Sequence, residues 1–344
     1  MFTPRGLVLT VVVPGVRLFP WSMREAWQVL LRKAKVRFRW VSHHEGRPET
    51  TIRTLGKQDV VLLLNDHHLE DLTRYLGTTE SHGRGRDERI WLGLSTERVV
   101  GSPFPKSEDK TRACARLCHL VAHFDPAAGG LIRGEGAEPY FCHQYASTDL
   151  FIPRKAWTNK ENRIFWSGKL SVGNFADAYS QRKTLFAAFQ KAPGAVWRDA
   201  AQKNEKLDTV LSEKDSYKGL LNLPSNCPGY TANFFENLAM GGCTLQHRMS
   251  SPMPIGLAEG ETHLGYDLDC PDSFKEACAR FLRAPDDFQK IAQQGRVACL
   301  QYHTLWHRAV EIFRALQTSL EKQGSNLAAG KVLSEAIAKL EVAQ

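Results

Sequence analysis

The residues best placed to do chemistry stand between Pro224 and Arg248, in the stretch PSNCPGYTANFFENLAMGGCTLQHR. Pro228 and Gly229 keep the approach out of regular helix, and Thr231 is an N-cap residue type. Phe234, Phe235, Leu238 and Ala239 then recur at helical spacing. Gly241 and Gly242 stop that helix, and Cys243 to Gln246 is short and β-like. A loop, helix, turn and strand in this order leave backbone N–H groups open at a helix start. There the dipole and the amides favour an anion, so Gly229, Tyr230, Thr231 and Ala232 form a candidate cradle for a diphosphate. Glu236 follows roughly a turn and a half later, on the face away from Leu238 and Ala239. A carboxylate in that place can accept hydrogen bonds from a ribose.

Such residues need a scaffold, and the remainder of the chain reads as one. Leu7 to Val13 is a continuous apolar run of the kind found in strands buried on both faces. Further strands are predicted over Val36–Val41, Asp59–Leu64, Ile90–Leu94, His119–Phe124 and Tyr140–Gln144. Between them lie a helix opened by the capping box Ser22-Met23-Arg24-Glu25 and helices over Leu69–Leu76 and Ser107–Leu117. Alternating apolar strands and helices imply an α/β fold with parallel sheets covered on both faces. A polar run from Arg154 to Arg163 reads as a linker, and a second alternation opens at Ile164-Phe165-Trp166-Ser167-Gly168. The expected domains are residues 1–153 and 164–322, joined by 154–163 and closed by a terminal helix over 323–344.

Composition narrows the class. Of 344 residues 42% are hydrophobic and 24% charged, which excludes a disordered chain. The longest apolar run is too short to span a bilayer, and no secretory leader is expected. Eight cysteines without a CxxC pair read as reduced, mostly buried thiols of a cytoplasmic protein. A net charge of +8 suits an acidic partner: a nucleotide-sugar, a nucleic acid or a membrane surface. The i, i+4 pairs His119/His123 and His303/His307 lack a third ligand, so no metal site is expected.

The second half resembles the nucleotide-binding domain of GT-B glycosyltransferases, in particular the group-1 type shared with the CgeB-like spore-maturation proteins. FFENLAMGGCTL is similar to that family's helix and following strand. Ile291-Ala292, Gly295-Arg296, His303-Thr304 and Arg308 stand where the family's closing block has its signature residues. Ile164 to Gly168 followed by Arg182, and Asp149-Leu150-Phe151-Ile152-Pro153, match two further elements. The resemblance departs at two points: Asn233 stands where relatives often carry Arg, and Pro228 where retaining members often carry a second acid.

The resemblance implies a GT-B architecture, two Rossmann-like domains facing a cleft with C-terminal helices. It implies a glycosyltransferase of hexosyltransferase type that uses a nucleotide-sugar, UDP-linked, and needs no cofactor or metal. It places Gly168, Lys169 and Arg182 beside the donor, with Lys169 or Arg182 neutralising phosphate charge. A catalytic base would come from the first domain. Asp66, His67 and Glu97 follow predicted strands and are the candidates. The acceptor hydroxyl is unspecified. The positive charge keeps open a hydroxylated base in DNA, and the two departures keep open a non-catalytic nucleic-acid-binding or assembly protein on the same scaffold.

Overall fold

A computed structural model describes residues 8–14, 21–44, 46–57, 59–64, 69–78, 89–95, 99, 102, 106–170, 180–199, 207–225, 229–249, 251–324 and 327–344. The chain divides into two compact units, residues 1–142 with 305–344, and residues 143–304. The division at 142/143 lies upstream of the boundary expected near residue 153.

In the first unit β1 (Leu9–Pro14), α1 (Trp21–Lys33), β2 (Phe38–His43), α2 (Pro48–Thr54) and β3 (Val60–Leu64) alternate. They are followed by α3 (Glu70–Thr78), β4 (Ile90–Ser95), α4 (Ser107–Leu117), β5 (Leu120–His123), α5 (Gly129–Gly134) and β6 (Glu138–Phe141). The six strands form one parallel sheet in the order β2-β1-β3-β4-β5-β6. β3 and β4 are buried along their whole length because helices cover both faces. One face carries Val61, Leu63, Leu69, Leu72, Trp91, Cys114 and Leu117 in a single apolar cluster. Against α1 packs α11 (Leu305–Lys322), with Phe313 6.2 Å from Trp27 and both rings buried. Helix α11 also touches β5 and β6 and pairs with α12 (Leu327–Ala343), so the first unit takes in both terminal helices. The short helices α2 and α5 were not expected. Each has too few residues to show a periodic apolar face.

The second unit contains β7 (Glu161–Gly168), α6 (Ser180–Gln190), β8 (Ala195–Asp199), α7 (Leu207–Lys214), β9 (Tyr217–Asn222) and α8 (Ala232–Ala239). β10 (Cys243–His247), β11 (Leu264–Tyr266), α9 (Pro271–Arg283) and α10 (Gln289–Tyr302) complete it. Its five strands form a parallel sheet in the order β11-β10-β9-β7-β8. The end of the polar run read as a linker belongs to β7, which begins at Glu161. What holds the rest of that run is a buried ion pair. Asp215 accepts hydrogen bonds from the backbone N–H groups of Arg154 and Lys155, and pairs with buried Lys160 at 3.1 Å. Lys218 is likewise buried in β9. It donates to Asp286 at 2.6 Å and lies over the Trp157 ring.

All seven described cysteines are free and six of them are buried. Among the described residues no helix is long and apolar enough to cross a membrane.

Candidate functional site

The topology of the second sheet selects a position. β8 lies on one side of β7, and the chain then returns across β7 to place β9 on the other side. At such a reversal the two outgoing connections diverge and leave a crevice beyond the strand ends, the usual ligand site of open parallel sheets. The crevice lies past Gly168, which ends β7, and Asn222, which ends β9. Helix α8 follows β9 and starts at this edge.

Arg182 ties the two sides of the crevice together. Its Nε donates to the Pro224 carbonyl at 2.5 Å and one terminal nitrogen donates to the Lys169 carbonyl at 2.7 Å. The guanidinium fixes the loops after β7 and β9, and its charge stays at the crevice. Lys169 is exposed. Gly168 has a local packing reason to be glycine: a Cβ there would stand 2.7 Å from the Trp166 ring.

Below the crevice lies a chain of side-chain amides. Asn222 donates to Gln246 Oε1 at 2.6 Å and accepts from Asn233 Nδ2 at 2.8 Å. Gln246 in turn donates to the His247 carbonyl at 2.8 Å, and the Tyr266 hydroxyl donates to the Asn222 carbonyl at 2.6 Å. Asn222, Gln246, His247 and Tyr266 are all buried, so each bond replaces water that the site has lost. Burial, with the Arg182 charge adding to it, pushes the His247 pKa down to about 4 and keeps the ring neutral.

Helix α8 sits on this floor. Its stripe of Phe234, Phe235, Leu238 and Ala239 is buried as the spacing predicts. Thr231 occupies the N-cap position but makes no cap with its side chain, which lies 3.3 Å from Asn222 Nδ2 instead. Gly229 and Tyr230 are buried, and the Tyr230 hydroxyl reaches Met253 Sδ at 3.3 Å. The first helical N–H, of Ala232, donates to Gln144 Oε1 at 2.5 Å. One of the amides expected to cradle a diphosphate is thus already engaged by the chain's own carbonyl, in the way an anion's oxygen would engage it.

Glu236 lies one turn into α8 and is half-buried. Its Oε2 is 3.1 Å from the ammonium of Lys214, the last residue of α7, and Lys214 also donates to Asn233 Oδ1 at 2.7 Å. No hydrogen bond to Glu236 Oε1 occurs among the described residues, which leaves that oxygen as an acceptor. Lys214, Asn222, Gln246 and Gln144 were not anticipated. Their side chains are brought together only by the fold.

The structure brings Gly168, Lys169, Arg182, Gly229, Tyr230, Thr231 and Glu236 into one unit, around the carboxyl ends of β7 and β9 and the start of α8. The candidate bases Asp66, His67 and Glu97 lie outside the described residues, as does Pro228. Both histidine pairs have structural roles. His119 Nδ1 accepts from the Trp91 N–H at 3.2 Å, and His123 Nδ1 donates to the Asp125 carbonyl at 2.8 Å. His303 donates from Nε2 to the Ile255 carbonyl at 2.7 Å, and Gln344 reaches His307 Nε2 at 2.6 Å. His303 caps the end of α10. Among the described residues no group of three or more His, Cys, Asp or Glu is arranged to hold a metal ion.

Residues 181–314 match the family model "Glycosyl transferase-like", which takes in α6 through the first half of α11. No curated protein sequence matches the chain. Among solved structures, HepE of Anabaena in complex with UDP-glucose is similar with a TM-score of 0.60 at 10% identity, over 91% of this chain and 100% of that one. The N-terminal domain of trehalose-6-phosphate phosphatase from Candida albicans is similar with a TM-score of 0.55 at 6% identity, over 88% and 77%. Sucrose-phosphate synthase from Thermosynechococcus elongatus is similar with a TM-score of 0.50 at 10% identity, over 77% and 72%. The chain therefore has the fold of the GT-B glycosyltransferases, two Rossmann-like units each built on a parallel sheet, and the glycosyl transferase-like match covers most of its second unit and the first half of α11.

Proposed function

We propose that the chain transfers a hexose from a UDP-sugar to a hydroxyl acceptor, with the donor bound by the second unit. The observation that carries this reading is Glu236. It is a half-buried carboxylate with an acceptor oxygen to spare, on a helix that starts at the topological switch point of a parallel sheet. The match of residues 181–314 to a glycosyltransferase-like family supports it. So does the similarity in fold to HepE, whose structures hold UDP and UDP-glucose.

In this reading the ribose hydroxyls donate to Glu236 and the diphosphate lies against the start of α8, at Gly229, Tyr230 and Thr231. The acceptor oxygen forms a bond to the anomeric carbon as the bond from that carbon to the diphosphate breaks. The bonding electrons leave with the nucleoside diphosphate, so negative charge grows there. Fixed positive ends of dipoles and nearby cations stabilise that charge most in the transition state. The α8 amides, Arg182 and Lys169 supply them. A base from the loops after β3 or β4, Asp66, His67 or Glu97, takes the acceptor's proton. No cofactor is involved, and transfer proceeds unchanged in EDTA.

The experiment is a thermal-shift panel of UDP-, GDP-, ADP- and TDP-sugars. A ligand bound only by the native state at a hundred times its Kd stabilises by about 2.7 kcal/mol. A UDP-hexose is expected to raise the melting temperature, and a flat response to every donor contradicts the reading.

A further inference from the structure

We propose that Lys214 is a positioning residue of the donor site, which holds the Glu236 carboxylate in place for the ribose from the far side. The proposal rests on the ribose reading of Glu236 given above. Lys214 ends α7, and its side chain is only 3% exposed. A buried ammonium must replace its whole hydration shell with protein groups. Here it has two polar partners, Asn233 Oδ1 at 2.7 Å and Glu236 Oε2 at 3.1 Å, with the Phe151 ring 5.3 Å away. Burial pushes the pKa of Lys214 down and the Glu236 carboxylate holds it up.

Both partners lie on α8, three residues apart and so on one face of the helix. One cation therefore sets two side chains at once. Through Asn233 it reaches Asn222, and through Asn222 it reaches Gln246, so the carboxylate is registered to the carboxyl ends of β9 and β10. The ammonium engages Oε2 and leaves Oε1 to accept. A carboxylate with one oxygen anchored presents the other in one geometry, which a freely rotating one does not. An ordering role of this kind predicts a loss confined to what Glu236 reads. A buried ion pair that only supports the fold predicts lower stability with binding selectivity intact.

The test separates these by ligand. Titration calorimetry would compare UDP with 2′,3′-dideoxy-UDP, which lacks both ribose hydroxyls. The proteins are the wild type, Glu236→Gln, Lys214→Met, Lys214→Arg and the Glu236→Gln/Lys214→Met double variant. The wild type is expected to bind UDP at least about tenfold more tightly than the dideoxy form, the order of one hydrogen bond to a charged group. That ratio falls toward one in Glu236→Gln and in Lys214→Met. It falls no further in the double variant and is partly restored in Lys214→Arg. If Lys214→Met does not fold, Asn233→Leu carries the same expectation, because the ammonium then loses its tie to Asn222 and the ion pair alone no longer fixes where Oε2 sits. A wild-type ratio near one overturns the ribose reading and this proposal with it. A ratio lost in Glu236→Gln but kept in the folded variants at Lys214 or Asn233 overturns the proposal alone.

Discussion

His247 and His263 are neutral residues inside the second unit, and their burial has a measurable consequence. Desolvation brings both down to about pKa 4 from an ordinary 6.5. Between those values the unfolded chain binds protons that the native state does not, so stability rises with pH in that window. Their contribution falls as pH drops from 6.5 toward 4, with a slope that approaches about two protons, and it levels off below 4. Thermal melts from pH 7 to pH 4.5 measure the slope, and His247→Gln with His263→Gln should flatten it. An unchanged slope in that double variant would mean other groups titrate. At the same scale the candidate site was half legible. Glu236 could be found because it stands in a helix with a patterned apolar face and a double-glycine stop. Lys214, Gln144, Asn222 and Gln246 could not. Each is an ordinary polar residue in its own stretch, and its role comes from partners 11 to 88 positions away, such as Asn233 for Asn222 and Ala232 for Gln144.

At the scale of elements, α8 is held by α10. A Cβ on Gly295 would run into the Thr262 carbonyl oxygen and come within 2.8 Å of Leu238 on α8. Arg296 beside it donates to the Ala239 carbonyl at 3.2 Å, at the carboxyl end of α8 where a cation suits the dipole. Cys299 adds a bond from its thiol to the Phe235 carbonyl at 3.3 Å. The closing block that resembles a family signature is thus a clamp on the helix that carries Glu236. Gly295→Ala is expected to cost about 1–3 kcal/mol, the range for overpacking, because backbone cannot give way as a side chain can. Urea unfolding checks this, and a neutral result would show that α10 moves freely. Elements were legible where both faces of a strand are apolar, as in β1, β3 and β4, or where a helix runs three turns. The start of β7 was missed because Glu161, Asn162 and Arg163 are exposed and polar, although they belong to the strand.

At the scale of the whole molecule, the second unit is one continuous segment with its own apolar clusters. One holds Ile164, Leu221, Leu245, Phe274 and Phe281, and the other Phe165, Tyr230, Phe234, Phe235 and Leu238. The first unit is built from two segments, with Phe313 of α11 against Trp27 of α1. Residues 143–304 alone are therefore expected to fold cooperatively and to bind UDP. Residues 1–142 alone should be unstable, since they lose the helix that covers Trp27. Circular dichroism melts of the two fragments decide this, and a stable 1–142 fragment would contradict it. The central claim is that a nucleotide-sugar binds at the β7/β9 switch point with its ribose on Glu236. A crystal structure with bound UDP tests that most directly. The account predicts the ribose hydroxyls within hydrogen-bond distance of Glu236 and the diphosphate against the start of α8. Nucleotide bound elsewhere, with Glu236 touching only Lys214, would contradict it.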